Sequence, residues 1–173
     1  MTVDPVPPLV LVLMGVSGCG KSTVGGVLAG RLGWDFGEGD DLHPQENVDK
    51  MASGHPLTDA DRWPWLARVH VWMAEHVDVG HPGIITCSSL KRAYRDLLVD
   101  GIAEHVVFVH LHGDRDQLLT RLRARQGHFM PTALLDSQLA DLEPPGPDEQ
   151  AVAIDIGPSA TVQAQQIVDM LGL

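Results

Sequence analysis

The sequence predicts an α/β fold: a five-stranded parallel sheet flanked by helices on both faces. Three observations predict it. Five short apolar runs alternate with segments of helical period, the pattern of repeated strand–helix units. The first run, residues 9–14, is apolar throughout, as a strand buried on both faces requires. It leads directly into Gly15-Val16-Ser17-Gly18-Cys19-Gly20-Lys21-Ser22-Thr23, which fits G-x-x-x-x-G-K-[ST].

The elements follow in order. Val24, Val27, Leu28 and Leu32 keep a rough 3.6 period, so a helix follows the glycine loop and Gly33 ends it. Trp34-Asp35-Phe36 forms a short second strand running into an acidic segment with Glu38, Asp40 and Asp41. Pro44 suits the first turn of a helix reaching about Met51. Thr58 caps a helix over about 59–79, with Asp59 and Asp61 in its first turn. One face of that helix carries Trp63, Leu66, His70, Met73 and Val77, widened by Trp65, Val69 and Trp72; these tryptophans read as packing, and a dimer contact could share the face. Strands over 84–87, 106–111 and 151–156 complete the sheet, with helices over about 90–99, 114–125, 131–142 and up to about 171. Residues 126–146 hold few large apolar side chains and read as a small helical lid within a single domain spanning 1–173. The first eight residues, with Pro5, Pro7 and Pro8, read as a loose leader.

Bulk composition narrows the function. With 12 basic and 23 acidic residues the formal charge is -11, unlike a general nucleic-acid backbone binder. Two cysteines make no disulfide framework, and Cys19 lies in the glycine loop. No apolar run approaches membrane-spanning length and no basic leader precedes one, so the expectation is a cytoplasmic enzyme with no membrane partner.

The glycine loop, placed between strand and helix, reads as a phosphate-binding P-loop. Gly15, Gly18 and Gly20 allow the backbone to approach phosphate, with amides aimed at it from Ser17 to Thr23. Lys21 reaches the β- and γ-phosphates, and Ser22 suits Mg²⁺. Glu38 and Asp40, two apart at a strand's carboxyl end, can divide two tasks: orienting the metal through water and accepting a hydrogen bond from a substrate hydroxyl. A solvated acidic loop is the alternative. Arg121 and Arg125 share a helical face beside the lid, suited to adenine stacking and phosphate clamping, or simply to a solvated basic helix. His43 reads as a helix-start or packing residue. Asn47, Lys50, Arg62, Lys91, Arg92 and Arg95 can supply a site for a polyhydroxylated anion, although spacing alone does not show that they converge. No N-K-x-D-like or D-x-x-G segment points to guanine; kinase and ATPase chemistry both remain open.

Beyond the P-loop, the chain carries Gly39-Asp40-Asp41-Leu42-His43-Pro44, Gly54-His55-Pro56-Leu57-Thr58-Asp59-Ala60-Asp61-Arg62 and Cys87-Ser88-Ser89-Leu90-Lys91-Arg92-Ala93-Tyr94-Arg95-Asp96. It also carries Arg121-Leu122, Arg125, Gly127-His128-Phe129-Met130, Ser137-Gln138 and Leu142-Glu143-Pro144. Through these motifs nearly the whole chain resembles the gluconokinase family of small P-loop kinases, related in fold to shikimate and adenylate kinases. The resemblance implies a P-loop NTPase fold with strand order 2-3-1-4-5. It implies ATP-dependent phosphorylation of D-gluconate at the 6-hydroxyl, Mg²⁺, a cytoplasmic setting and a homodimer. In it, Asp40 looks like the residue facing the 6-hydroxyl, and Lys21 and Arg125 like the clamps on the transferring phosphoryl. Arg121 looks like the adenine-stacking residue, with Pro158 on the other face of the base. His43, Lys50, Arg62, Lys91, Arg92, Arg95 and His128 fall in segments near the sugar acid. Glu38 stands where a family member can carry Asp; the longer side chain can still reach a metal-bound water.

Overall fold

The computed structural model describes residues 10–125 and 132–173. Five parallel strands, β1 (Val10–Met14), β2 (Asp35–Glu38), β3 (Gly83–Thr86), β4 (Val106–His112) and β5 (Ala151–Asp155), form one sheet in the order β2-β3-β1-β4-β5. The expected strand order is therefore the observed one. β1 is central and buried at all five positions, which accounts for its unbroken apolar run.

Strand alternation fixes the layers. Phe36 packs against Gly25 of α1 (Lys21–Leu32), whereas the neighbouring Gly37 packs against Trp72 of α3 (Asp59–Val79). Successive strand residues point to opposite faces, so α1 and α3 cover opposite sides of the sheet. α7 (Ala160–Leu171) packs beside α1, and α4 (Arg92–Leu98) packs beside α3. α2 (Gln45–Ala52), α5 (Arg115–Ala124) and α6 (Thr132–Asp141) complete the described helices.

Local signals set the boundaries. Gly33 ends α1 in the left-handed region, with its amide on the Ala29 carbonyl. Thr58 and Asp61 form a reciprocal capping box at the start of α3, and Asp114 and Gln117 form another ahead of α5. Pro44 lies one position before α2 rather than within its first turn. The apolar face of α3 differs from the expected one. Arg62, Trp65, Leu66, Val69 and Met73 are buried, whereas Trp63 is 37% exposed and meets Tyr94 edge-on. Several apolar stripes are possible on this tryptophan-rich helix, and contact with the sheet selects the one containing Trp65.

Among the described residues Arg95 is a deeply buried charge, at 1% exposure. Its Nε and Nη2 donate to the two Glu149 carboxylate oxygens at 2.7 and 3.1 Å, and Nη1 donates to the Ser89 carbonyl at 2.8 Å. The Ser89 backbone is itself in the left-handed region at φ 50, at the turn leaving β3. The pair thus fastens that turn and α4 to the segment entering β5. Burial alone would raise the Glu149 carboxyl, but hydrogen bonds from Arg95 and the Gly146 amide outweigh it and hold the carboxyl below its usual range. Its stabilising contribution is therefore complete above the unfolded carboxyl pKa and is lost as pH falls through the folded one. Glu149→Ala leaves the guanidinium buried without its partner and is expected to lower unfolding free energy by roughly 3–5 kcal/mol. Urea denaturation at pH 7 checks this; a loss under about 1 kcal/mol would show that the pair is not holding this corner.

Candidate active site

The site starts from the turn between β1 and α1. Gly15 has φ 142, and a Cβ there would lie 2.7 Å from the Leu111 carbonyl oxygen and 2.8 Å from Cys19 Sγ. Only glycine allows the chain to leave the buried strand along this path. Gly18 and Gly20 also have positive φ, and Gly20 sits immediately before the first turn of α1. The loop therefore brings the N-terminus of α1 to a hollow suited to an anion, although the Gly15 and Cys19 amides are bonded to the Ser88 and Val16 carbonyls. Lys21 Nζ arches back to the carbonyls of Gly15 and Val16 at 2.9 and 3.2 Å. Cys19 is wholly buried, and Thr23 is exposed one residue beyond Ser22.

Ser22 Oγ donates to Glu38 Oε2 at 3.0 Å. The same carboxylate oxygen accepts from Thr86 Oγ1 at 2.8 Å, and Thr86 Oγ1 accepts from the Gly39 amide at 3.2 Å. A Cβ on Gly39 would come within 2.0 Å of the Thr86 carbonyl oxygen, so the chain can pass β3 here only as glycine. The Gly39 carbonyl accepts from Trp65 Nε1 at 2.7 Å. This pivot ends β2 and starts a 3₁₀ turn over Gly39–Leu42. Glu38 and Asp40 therefore do not share one side of an extended strand: Glu38 turns towards Ser22, and the Asp40 side chain is 78% exposed.

Asp40 Oδ1 lies 3.8 Å from His43 Nε2. The His43 ring is stacked on Trp65, with centroids 4.0 Å apart. Asn47 Nδ2 carries two hydrogens and faces two acceptors, the Asp61 carbonyl at 2.9 Å and His43 Nδ1 at 3.2 Å. Those partners fix both the amide orientation and the tautomer, leaving the His43 proton on Nε2, towards Asp40. Burial lowers the imidazole pKa to about 4; Asp40 opposes the shift and Arg62 adds to it. His43 is therefore neutral at pH 7, a donor rather than a cation.

The expected substrate-side cations fall into two groups. Lys50 Nζ meets Asp61 at 2.6 Å, Lys91 Nζ meets Asp59 at 3.2 Å, and buried Arg62 donates to Tyr94 Oη at 2.8 Å and Asp141 at 3.0 Å. Tyr94 Oη also bonds Asp59, and Arg62 and Lys91 both lie over the Tyr94 ring. Hydrogen bonds from Lys50 and from the Thr58 amide and hydroxyl hold the Asp61 carboxyl at about 2. Arg92 and Arg95 belong elsewhere, engaged with Asp148 and Glu149 beside a separate cavity of about 290 Å³.

At the opposite side of the P-loop, Arg121 donates to the Ile156 carbonyl and lies close to Gly20. Arg121, Gln117, Thr120, Ile156 and Gly157 line an open groove of about 420 Å³. Pro158 follows in the same turn, its carbonyl accepting from Gln163 Nε2 at 2.8 Å. Arg125 is exposed at the end of α5, and His128 lies outside the described residues.

Over residues 10–145 the chain matches a family model described as an AAA domain. It is 55% identical to a gluconokinase of Gluconobacter oxydans over 147 residues, covering 85% of this chain and 82% of that protein. A thermosensitive gluconokinase of Escherichia coli is 48% identical over 161 residues, with 91% and 86% covered. The crystal structure of a gluconokinase from Sinorhizobium meliloti superposes with a TM-score of 0.83 at 42% identity, covering 95% of this chain and 96% of that one. The chain belongs to the gluconokinase family.

The roles of two residues of this gluconokinase-family site escaped sequence reasoning. Thr86 joins the Gly39 amide to Glu38; its only signal was a polar residue ending an apolar strand. Gln138 on α6, quoted above only within a family-like segment, accepts from the Ser17 amide at 2.8 Å across 121 residues of sequence, so that amide, expected to face phosphate, is turned to α6 instead. α6 is also fixed to the core by buried Leu134 and Leu135, and by Asp141 on Arg62.

The lowered pKa of His43 has a definite sign. The unfolded chain takes up this proton near pH 6.5 and the folded one only near 4, so stability is full above pH 6.5 and falls as pH drops towards 4. Replacement by Phe keeps a ring against Trp65 and removes the titration. Urea unfolding between pH 7 and 4.5 should show a shallower loss for His43→Phe than for the unsubstituted protein; parallel curves would mean that His43 protonation is not coupled to folding.

Proposed function

We propose that this protein catalyses transfer of the γ-phosphoryl of ATP to the 6-hydroxyl of D-gluconate, giving 6-phospho-D-gluconate and ADP. The observation that carries the reading is the convergence of Lys21, Ser22 and Glu38 at the carboxyl ends of β1 and β2, in a chain of the gluconokinase family. The loop amides and Lys21 take the phosphates, and the groove beside Arg121 and Gly157 takes the base. Ser22 Oγ and the Glu38 carboxylate form a hard-oxygen pair that suits Mg²⁺, Ser22 as ligand and Glu38 through water. Among the described residues no group of three or more His, Cys, Asp or Glu is placed to hold a metal, in keeping with an ion held largely by phosphate and water. Bound there, Mg²⁺ would neutralise charge on the phosphates.

Asp40 is exposed at the edge of this hollow and accepts the hydrogen bond of the 6-hydroxyl; His43 Nε2–H helps to orient it. Phosphoryl transfer asks chiefly for position, so a carboxylate is base enough. Lys50, Arg62 and Lys91 form the anion-facing side for the gluconate carboxylate, while Arg92 and Arg95 belong to the scaffold. Arg125 joins Lys21 on the transferring phosphoryl, with residues 126–146 as the lid of a single domain. The reading includes a cytoplasmic homodimer; no described helix is long and apolar enough to cross a membrane.

Steady-state kinetics with gluconate, shikimate and glucose test the assignment. Gluconate should be the efficient substrate, and glucose should be poor because it leaves the anion-facing side unmatched. Asp40→Asn preserves shape and removes the charge, so kcat/KM for gluconate should fall about 10²–10⁴-fold. Comparable use of glucose, or an unimpaired Asp40→Asn, would contradict the assignment. In the same assay Arg121→Ala should mainly raise KM for ATP, and Arg125→Ala should mainly lower kcat, since stacking is uniform binding whereas a phosphoryl clamp strengthens in the transition state. Identical behaviour of the two variants would reject that division.

A further inference from the structure

The Val16–Ser17 peptide of the P-loop is gripped at both ends. Its carbonyl accepts from Lys21 Nζ at 3.2 Å, and its amide donates to Gln138 Oε1 at 2.8 Å. In a trans peptide these two groups point in opposite directions, so Lys21 and Gln138 hold the unit from opposite sides. The carboxamide orientation follows from chemistry: a backbone amide can only donate, so it must face Oε1. Gln138 is partly buried, and its helix does not hang from this one contact. α6 buries Leu134 and Leu135, its Asp136 pairs with Arg115 at 2.7 Å, and its Asp141 reaches Arg62. Gln138 and Asp141 are three apart, so one helix face reaches both the P-loop and the buried cation of the anion-facing side.

We propose that Gln138 is a positioning residue for phosphoryl transfer: anchored on α6, it sets the tilt of the Val16–Ser17 peptide and thereby the place of the Lys21 ammonium. This rests on the phosphoryl-transfer reading given above. Lys21 Nζ takes its bearings from the Gly15 and Val16 carbonyls, and the Val16 carbonyl cannot rotate without breaking the bond between the Ser17 amide and Gln138. The amides from Gly18 onward, nearer the helix, do not depend on this peptide. Loss of the brace should therefore impair transfer more than diphosphate binding.

The test uses Gln138→Leu, which removes the acceptor, and Gln138→Glu, which keeps it. At saturating ATP and gluconate, Gln138→Leu should lose roughly 5- to 50-fold in kcat, the scale of one unsatisfied loop donor. ADP affinity by titration calorimetry should change less than about threefold, well under one hydrogen bond's worth. Gln138→Glu should recover most of the lost kcat. Amide hydrogen exchange at Ser17 supplies a readout that needs no acceptor substrate: exchange should accelerate in Gln138→Leu and stay slow in Gln138→Glu. If the unsubstituted protein fails to phosphorylate gluconate, the substrate assignment falls while this exchange pattern still tests the brace. The proposal is overturned if Gln138→Leu keeps full kcat, if ADP affinity falls in step with kcat, if Gln138→Glu is no better than Gln138→Leu, or if Ser17 exchange is the same in all three proteins.

Discussion

The architecture depends on one steric constraint: how the chain leaves β1. A strand with five buried residues ends in the sheet's interior, and the next residues must turn at once into α1 without burying unpaired amides. Gly15 makes the turn where any side chain would strike the Leu111 carbonyl, and the loop carbonyls of Gly15 and Val16 are met by Lys21. The amides of Gly15, Ser17 and Cys19 are held within the fold, by the Ser88 carbonyl, Gln138 and the Val16 carbonyl, so the loop keeps its shape through its own bonds. The neighbouring strands β3 and β2 run parallel to β1 on one side of it, and their pairing of Glu38 with Thr86 brings both to the same rim.

A second constraint is charge. The chain is acidic overall, yet the described cations around the acceptor side are gathered close together, each against a carboxylate: Lys50 on Asp61, Lys91 on Asp59, Arg62 on Asp141. A bare cluster of buried or half-buried cations would repel itself, and these pairings hold it together. On the proposed reading, a ligand there must match cations that already hold carboxylate partners, which would favour an anion of defined shape over anions in general. Asp141 is notable because it lies on α6 with Gln138. The helix that braces the phosphate loop also fixes the cation on the acceptor side, so the two halves of the site share a support.

Much of the fold was legible in the sequence, because the signals were local. An unbroken apolar run marked β1, a glycine marked the end of α1, and a capping threonine marked the start of α3. The strand order followed from those alternations together with the family resemblance. The buried stripe of α3 was not legible: Trp63 and Trp65 are both apolar, and only the position of the sheet decides between them. The site divided in the same way. Ser22 and Lys21 come from one continuous motif and were readable; Glu38 lies opposite Ser22 because β2 and β1 end at the same rim. The partners of Arg62, Arg95 and Ser17 lie 79, 54 and 121 residues away, and such pairings exist only once the chain is folded. The family-like segment therefore put Arg92 and Arg95 in one group with Lys91, whereas the short helix α4 sends them to a different corner.

The central claim is that the rim formed by the P-loop, Glu38 and Asp40 sets the γ-phosphoryl of ATP against one particular hydroxyl of a sugar acid. The most direct measurement is the position of phosphate on the product, read by phosphorus–carbon coupling in NMR after turnover of uniformly ¹³C-labelled D-gluconate with ATP. The account predicts a single phosphomonoester coupled to the terminal carbon that carries the 6-hydroxyl. Phosphate on any other carbon, or free phosphate released with gluconate unchanged, would contradict it.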